Sequence, residues 1–208
     1  MDIYQHDASF RKKGFRTIAG MDEAGRGPIA GPVVAAAVIL PKDLRIEGLR
    51  DSKKVPEKER ATLFMKVLAH SIDIGIGIVD HKEIDRINIL QATKLAMEKA
   101  FRELTTVPDM LIIDALSLPS VSIEQFSPFK ADSKSACVAA ASIVAKYTRD
   151  MIMLRYHDKY PLYNFNKHKG YCTADHMNMV KLHGPCPIHR MSFRKVKDIE
   201  LPFPENKL

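Results

Sequence analysis

Four acidic residues stand where carboxylates can hold a hard cation beside a phosphate. Asp22 and Glu23 are neighbours in the run Met21-Asp22-Glu23-Ala24-Gly25-Arg26-Gly27-Pro28, behind an apolar stretch and ahead of a Gly-Arg-Gly turn. Asp114 closes the apolar run Met110-Leu111-Ile112-Ile113, and Asp132 lies just before a long helical pattern that begins near Ser135. Carboxylate oxygens are natural ligands for Mg²⁺, and glycines expose backbone N–H groups to an approaching phosphate. The chemistry indicated is metal-dependent work on a phosphate ester.

Each acid also has a plainer reading. Adjacent residues in a strand point to opposite faces, so Asp22 and Glu23 can share one ion only if the strand is ending there, as the Ala24-Gly25 step allows. Asp22 is then the direct ligand, and Glu23 is either a contributor through a kinked backbone or a surface acid. Asp114 sits at the carboxyl end of a buried strand, where open α/β sheets place their sites. Asp132 reads equally well as a helix cap, a task that Ser133 or Ser135 can take instead.

Basic residues surround these acids in sequence. Lys130, Lys134, Lys146 and Arg149 lie before or along the long helix, and Asp51-Ser52-Lys53-Lys54 is a polar, basic loop. Lys167-His168-Lys169-Gly170-Tyr171 sets an aromatic ring within a basic run, as stacking on a base or sugar requires. Lys53 and Lys134 are the expected phosphate contacts. A zinc site from His183, Cys186 and His189, with Cys172 and His176 nearby, matches no common ligand spacing. Gly25-Arg26-Gly27 is too short for a P-loop or a dinucleotide fingerprint.

The elements needed to hold these residues are legible in the apolar pattern. Arg16–Met21 and Gly31–Leu40 read as strands joined by the glycine turn, the second apolar on both faces. Pro56 opens a helix, Ile72 to Ile78 alternates as a strand, and Ile84–Leu104 reads as one helix. A strand at Met110–Asp114 leads through a Ser/Pro-rich connection to a helix over Ser135–Tyr160, and a short helix is expected at Ala174–Leu182. Strands alternating with helices predict a mixed central β-sheet flanked by helices, an α/β fold.

The 208 residues suffice for one substantial core. A net charge of +7, from 32 Lys and Arg against 25 Asp and Glu, favours a polyanionic partner. Three cysteines without a CxxC pair fit a reducing compartment. The N-terminal stretch lacks the apolar core of a signal peptide, and the longest apolar run, Val33–Leu40, is too short to span a bilayer. The expectation is a cytoplasmic protein with no membrane partner.

Asp22 through Ala37 closely resembles the opening signature of bacterial ribonuclease HII. Asp51-Ser52-Lys53-Lys54, Ile112-Ile113-Asp114-Ala115, Lys130-Ala131-Asp132-Ser133-Lys134-Ser135, Ala139 to Lys146 and His168-Lys169-Gly170-Tyr171 resemble its later motifs in the same order. Gly184-Pro185, His189-Arg190 and Ser192-Phe193 resemble its C-terminal signature, so the likeness runs from about Ile18 to Phe193. It implies an RNase H-like fold over residues 1–208 as a single catalytic domain, with a small helical extension from about 161 to 208. It also implies a monomeric endonuclease for the RNA strand of RNA/DNA hybrids and for the 5′ side of single ribonucleotides in duplex DNA, leaving 3′-OH and 5′-phosphate ends.

By the same resemblance Asp22, Glu23, Asp114 and Asp132 hold Mg²⁺ or Mn²⁺ in a two-metal site. Gly25, Arg26 and Gly27 grip the ribonucleotide through its 2′-OH and phosphate, and Tyr171 packs on the next deoxyribose. Two positions depart from the pattern: Cys172 replaces a usual glycine after the tyrosine, and Lys195 a common proline. Exonucleases with four acidic ligands resemble an Asp-x-Glu pattern that the adjacent Asp22 and Glu23 do not fit. Ribonuclease HIII usually carries Lys where Arg26 stands, and a purely binding protein has no reason to keep acids in its groove.

Overall fold

The computed structural model describes residues 2–52 and 55–199. At its centre is a five-stranded sheet of β1 (Ile18–Ala24), β2 (Val33–Ile39), β3 (Asp73–Val79), β4 (Met110–Ile113) and β5 (Glu124–Phe126). The strand order is β3-β2-β1-β4-β5. β1 pairs antiparallel with β2 and parallel with β4, so the sheet is mixed, as expected. Every residue of β2 is buried, because helices cover both of its faces.

Alternation along β2 divides the core. Val33, Ala35, Ala37 and Ile39 join Ala92, Ala96, Met97 and Ala100 of α4 (Ile89–Arg102). Ala36 and Val38 pack on the opposite side with Ala136 to Ala145 of α5 (Ala136–Lys159), and with Leu63 and Val67 of α2 (Glu57–His70). The small residues at the start of α5 let it lie directly on the sheet: a Cβ at Gly20 in β1 would strike the backbone of Cys137 and Val138. α1 (Ile3–Lys12) reaches the start of α5, where its Asp7 accepts a 3.0 Å hydrogen bond from the Cys137 N–H.

The sequence reading needs two corrections. The stretch expected as one helix over Ile84–Leu104 is two, α3 (His81–Ile87) and α4, broken at Asn88. Asn88 adopts φ +68°, and its side-chain oxygen accepts from the N–H groups of Leu90 and Gln91, so it caps the second helix. The Ser/Pro-rich connection also contains β5, a three-residue edge strand on β4. Beyond α5 come α6 (Phe165–His168), α7 (Ala174–His183) and α8 (Arg194–Lys197). Tyr163, Phe165, Val180, Cys186 and Ile188 pack there against Met153 of α5 and Ala30.

Candidate active site

β1 and β4 run parallel, with Met21 opposite Ile113, so Asp22 and Asp114 leave the same end of adjacent central strands. Asp22 pairs with Ala36, on the face covered by α5, and Glu23 with Ala35, on the other face. Strand pairing continues through both acids to Ala24, so the strand does not end between them and their side chains diverge. Asp22 is buried beside Ser142 of α5, which hydrogen-bonds its carboxyl; Ser142 Oγ in turn lies 2.7 Å from Ser52 Oγ. The Asp22 carboxyl is pushed well above the usual carboxylate range, first by burial and then by the charges of Glu23 and Asp114. Three of the four acids therefore act on one another at one strand end.

Asp132 lies in a 3₁₀ turn, Ala131–Ser133, and is buried. The turn is tied to the same end of the sheet because Asp114 Oδ1 accepts from the Ala131 N–H at 2.9 Å. Ser135 caps α5, accepting from the Val138 N–H, so the cap reading of Asp132 is set aside. Among the described residues no three His, Cys, Asp or Glu side chains close around a point that could hold an ion. What fits a divalent cation is the donor chemistry: hard carboxylates, two of them buried, with Asp22 raised first by burial and then by like-charged neighbours that a cation would quiet.

After the acids comes the Gly25–Gly27 turn. Gly25 is buried with φ +103°, whereas Arg26 and Gly27 are exposed, and Arg26 Nη1 donates to Glu23 Oε1 at 3.2 Å. Two arginines support the turn from beneath. Arg190, fully buried, donates to the carbonyls of Gly25, Arg26 and Gly31; Arg149, also fully buried, donates to those of Ala30, Pro32 and Lys169. By sequence Arg149 belongs with the basic residues of the long helix that suit a nucleic-acid groove. Its guanidinium is instead committed to backbone oxygens, which the charge pattern along the helix could not reveal.

Of the other expected contacts, Lys134 is exposed at the foot of α5, and Lys53 lies outside the described residues. Lys146 Nζ sits 5.5 Å from the ring centre of Tyr171, which is 42% exposed and open to a ligand. The basic run before Tyr171 is less available than its sequence promises: Lys169 is buried in an ion pair with Glu57, and His168 is buried. Three of the residues weighed for zinc, His176, Cys186 and His189, bind each other. His189 Nδ1 accepts from the Cys186 N–H, and its Nε2 lies 3.0 Å from His176 Nε2, whose Nδ1 lies 2.9 Å from the Tyr171 carbonyl. Cys172 and Lys195 line one surface cavity of about 790 Å³, together with Lys181 and Arg194.

The strand order and the acids at the carboxyl end of its central pair define an RNase H-like fold. A solved ribonuclease H2 from Pyrococcus horikoshii OT3 superposes with a TM-score of 0.73 at 29% identity, over 88% of this chain and 97% of that one. The family model described as Ribonuclease HII matches residues 19–196. Ribonuclease HII of Acetivibrio thermocellus is 56% identical over 195 residues, 94% of this chain and 75% of that one. That of Endomicrobium trichonymphae is 51% identical over 95% of each. The chain belongs to the ribonuclease HII family: metal-dependent endonucleases that cleave RNA in RNA/DNA hybrids and at ribonucleotides embedded in DNA.

Proposed function

We propose that Asp22, Glu23, Asp114 and Asp132 hold Mg²⁺ or Mn²⁺ at the ends of β1 and β4, as a two-metal site with Glu23, whose side chain leaves the other face of the sheet, at its edge. A scissile phosphate would lie against the Gly25–Gly27 turn. The observation that carries this reading is the Asp22 carboxyl, buried at the strand end beside that turn and raised first by burial and then by Glu23 and Asp114. Metal ions in such a site activate water and neutralise charge on the leaving oxygen. The protein's share is positioning: Ser142 orients Asp22, the Ala131 N–H orients Asp114, and the two buried arginines fix the turn. Exposed N–H groups there can meet the phosphate and the 2′-OH, the group that separates RNA from DNA.

Tyr171 is the proposed contact for the deoxyribose after the cut, with Lys146 behind its ring. Lys134 and Lys53 are the proposed phosphate contacts. The enzyme would cut 5′ to the ribonucleotide and leave 3′-OH and 5′-phosphate ends, working as a single-domain cytoplasmic monomer that clears ribonucleotides from DNA. The test is a gel assay on duplex DNA with one embedded ribonucleotide, with Mg²⁺, with Mn²⁺ and with chelator. A single metal-dependent incision at the DNA–RNA step supports the reading. An incision that survives chelation, or falls elsewhere, defeats it.

A further inference from the structure

We propose that Arg149 is a positioning residue that sets the spacing between the Gly25–Gly27 turn and Tyr171, and thereby the preference for a ribose followed by a deoxyribose. The inference rests on the roles proposed above for those two parts and concerns what holds them in register. Arg149 is fully buried, and its hydrogen bonds go to carbonyls on two separate segments. Nε donates to Pro32 O at 2.9 Å and Nη2 to Ala30 O at 3.1 Å, both on the chain leaving the turn. Nη1 donates to Lys169 O at 2.9 Å, two residues before the tyrosine.

The neighbouring contacts make this a rigid link. The Ile29 N–H donates to Gly170 O at 2.9 Å, joining the same two segments beside the guanidinium. A Cβ at Gly25 would collide with the Arg149 side chain, so the turn rests on it. The Arg149 guanidinium carbon lies 5.8 Å from the Tyr171 ring centre. Arg190, by contrast, grips Gly25, Arg26 and Gly31 and so clamps the turn alone.

A guanidinium presents planar donors in a fixed fork, so three carbonyls bound to one are held at set separations. Lysine has the charge but not the fork. Burying a cation whose bonds go to carbonyls is costly, and burial weakens this one's hold on its proton, to about 10, still far above neutrality. Arg149 therefore stays cationic at neutral pH, and its geometry is the variable to test.

The experiment compares kcat/KM for duplex DNA carrying one ribonucleotide with that for a long RNA/DNA hybrid, using the full chain with Mg²⁺. Arg149→Lys should lower the ratio of the two about tenfold or more, since small misplacements of a reading group are costly. In a Tyr171→Ala background the same substitution should leave the ratio where Tyr171→Ala put it, because both changes remove one shared effect. If Arg149→Lys does not fold, Arg149→Gln, which keeps an amide donor, is read in the same way. Equal losses on both substrates, or additive effects in the double variant, would show that Arg149 serves the fold alone and overturn the inference. If Tyr171→Ala leaves the ratio unchanged, the junction-sensing reading of Tyr171 fails first and takes this inference with it.

Discussion

At the scale of single residues, the site depends on carboxylates crowded at one end of the sheet, Asp22 foremost, buried beside Glu23 and Asp114. Asp22→Asn keeps the shape and removes that charge, and the loss should approach 3 kcal/mol of transition-state stabilisation, about two orders of magnitude in kcat. Binding of the hybrid, measured by fluorescence anisotropy, should survive. Turnover near the parent rate would remove Asp22 from the site. Ser142 is a residue that sequence reasoning passed over, since it sits among alanines in what reads as a packing face. Its hydroxyl meets both Asp22 and Ser52, and Ser142→Ala should cost about 1 kcal/mol, roughly fivefold in kcat. The tilt of Asp22, not the fold, would change, so the unfolding midpoint in urea should move little. A large shift in that midpoint with kcat intact would make Ser142 a structural residue.

At the scale of elements, α5 is what assembles the site. One face of it presents Val138 to Gly20, Ser142 to Asp22, Lys146 to Tyr171, Arg149 to both loops and Met153 to Gly31. These positions recur at helical spacing, so the helix itself was legible, as were β1 to β4 and the place of Asp114 at a strand end. The partners of Ser142, Arg149 and Arg190 were not, because all but one, Lys169, lie 90 to 165 residues away in sequence, and spacing cannot report such pairs. β5 was illegible for another reason: three residues with little burial leave no periodic trace. The break at Asn88 did have a signal, since asparagine tolerates positive φ and caps helices, but the apolar pattern on both sides hid it. On the opposite face of the sheet, Gly75 and Gly77 of β3 lie against the backbone of α4, where a Cβ would strike the carbonyls of Ala100 and Ala96. Gly77→Val should therefore destabilise by about 3 kcal/mol, read as a lower urea midpoint, and a change within about 0.5 kcal/mol would mean that α4 can move away freely.

At the scale of the whole molecule, charge and protonation link the fold to its solution behaviour. With a net charge of +7, hybrid affinity should fall steeply with salt, and removing the exposed Lys134 should lower that slope by about one; an unchanged slope would take Lys134 off the phosphate path. The C-terminal helices carry a second dependence. His176 and His189 are each pulled from 6.5 to about 4, chiefly by burial, against Phe165, Tyr163 and the stacked His168. Because His189 Nδ1 accepts from Cys186, its proton sits on Nε2 and points at His176 Nε2. A second proton on either ring would set N–H against N–H. The unfolded chain takes up protons near 6.5, and the folded chain does so only near 4. The stability these rings contribute is thus complete above about 6.5 and is lost as the pH falls towards 4. Each contributes at most about 1.4 kcal/mol per pH unit, so from pH 6 to 5 the pair should cost about 2 kcal/mol, or roughly 4–8 °C in Tm. Asp22 pulls the other way, since its raised carboxyl favours the folded state as protons are added. Melting the Asp22→Asn variant across this range removes that opposing contribution, and a Tm that stays level from pH 6.5 to 5 would show that the rings accept protons without breaking their chain.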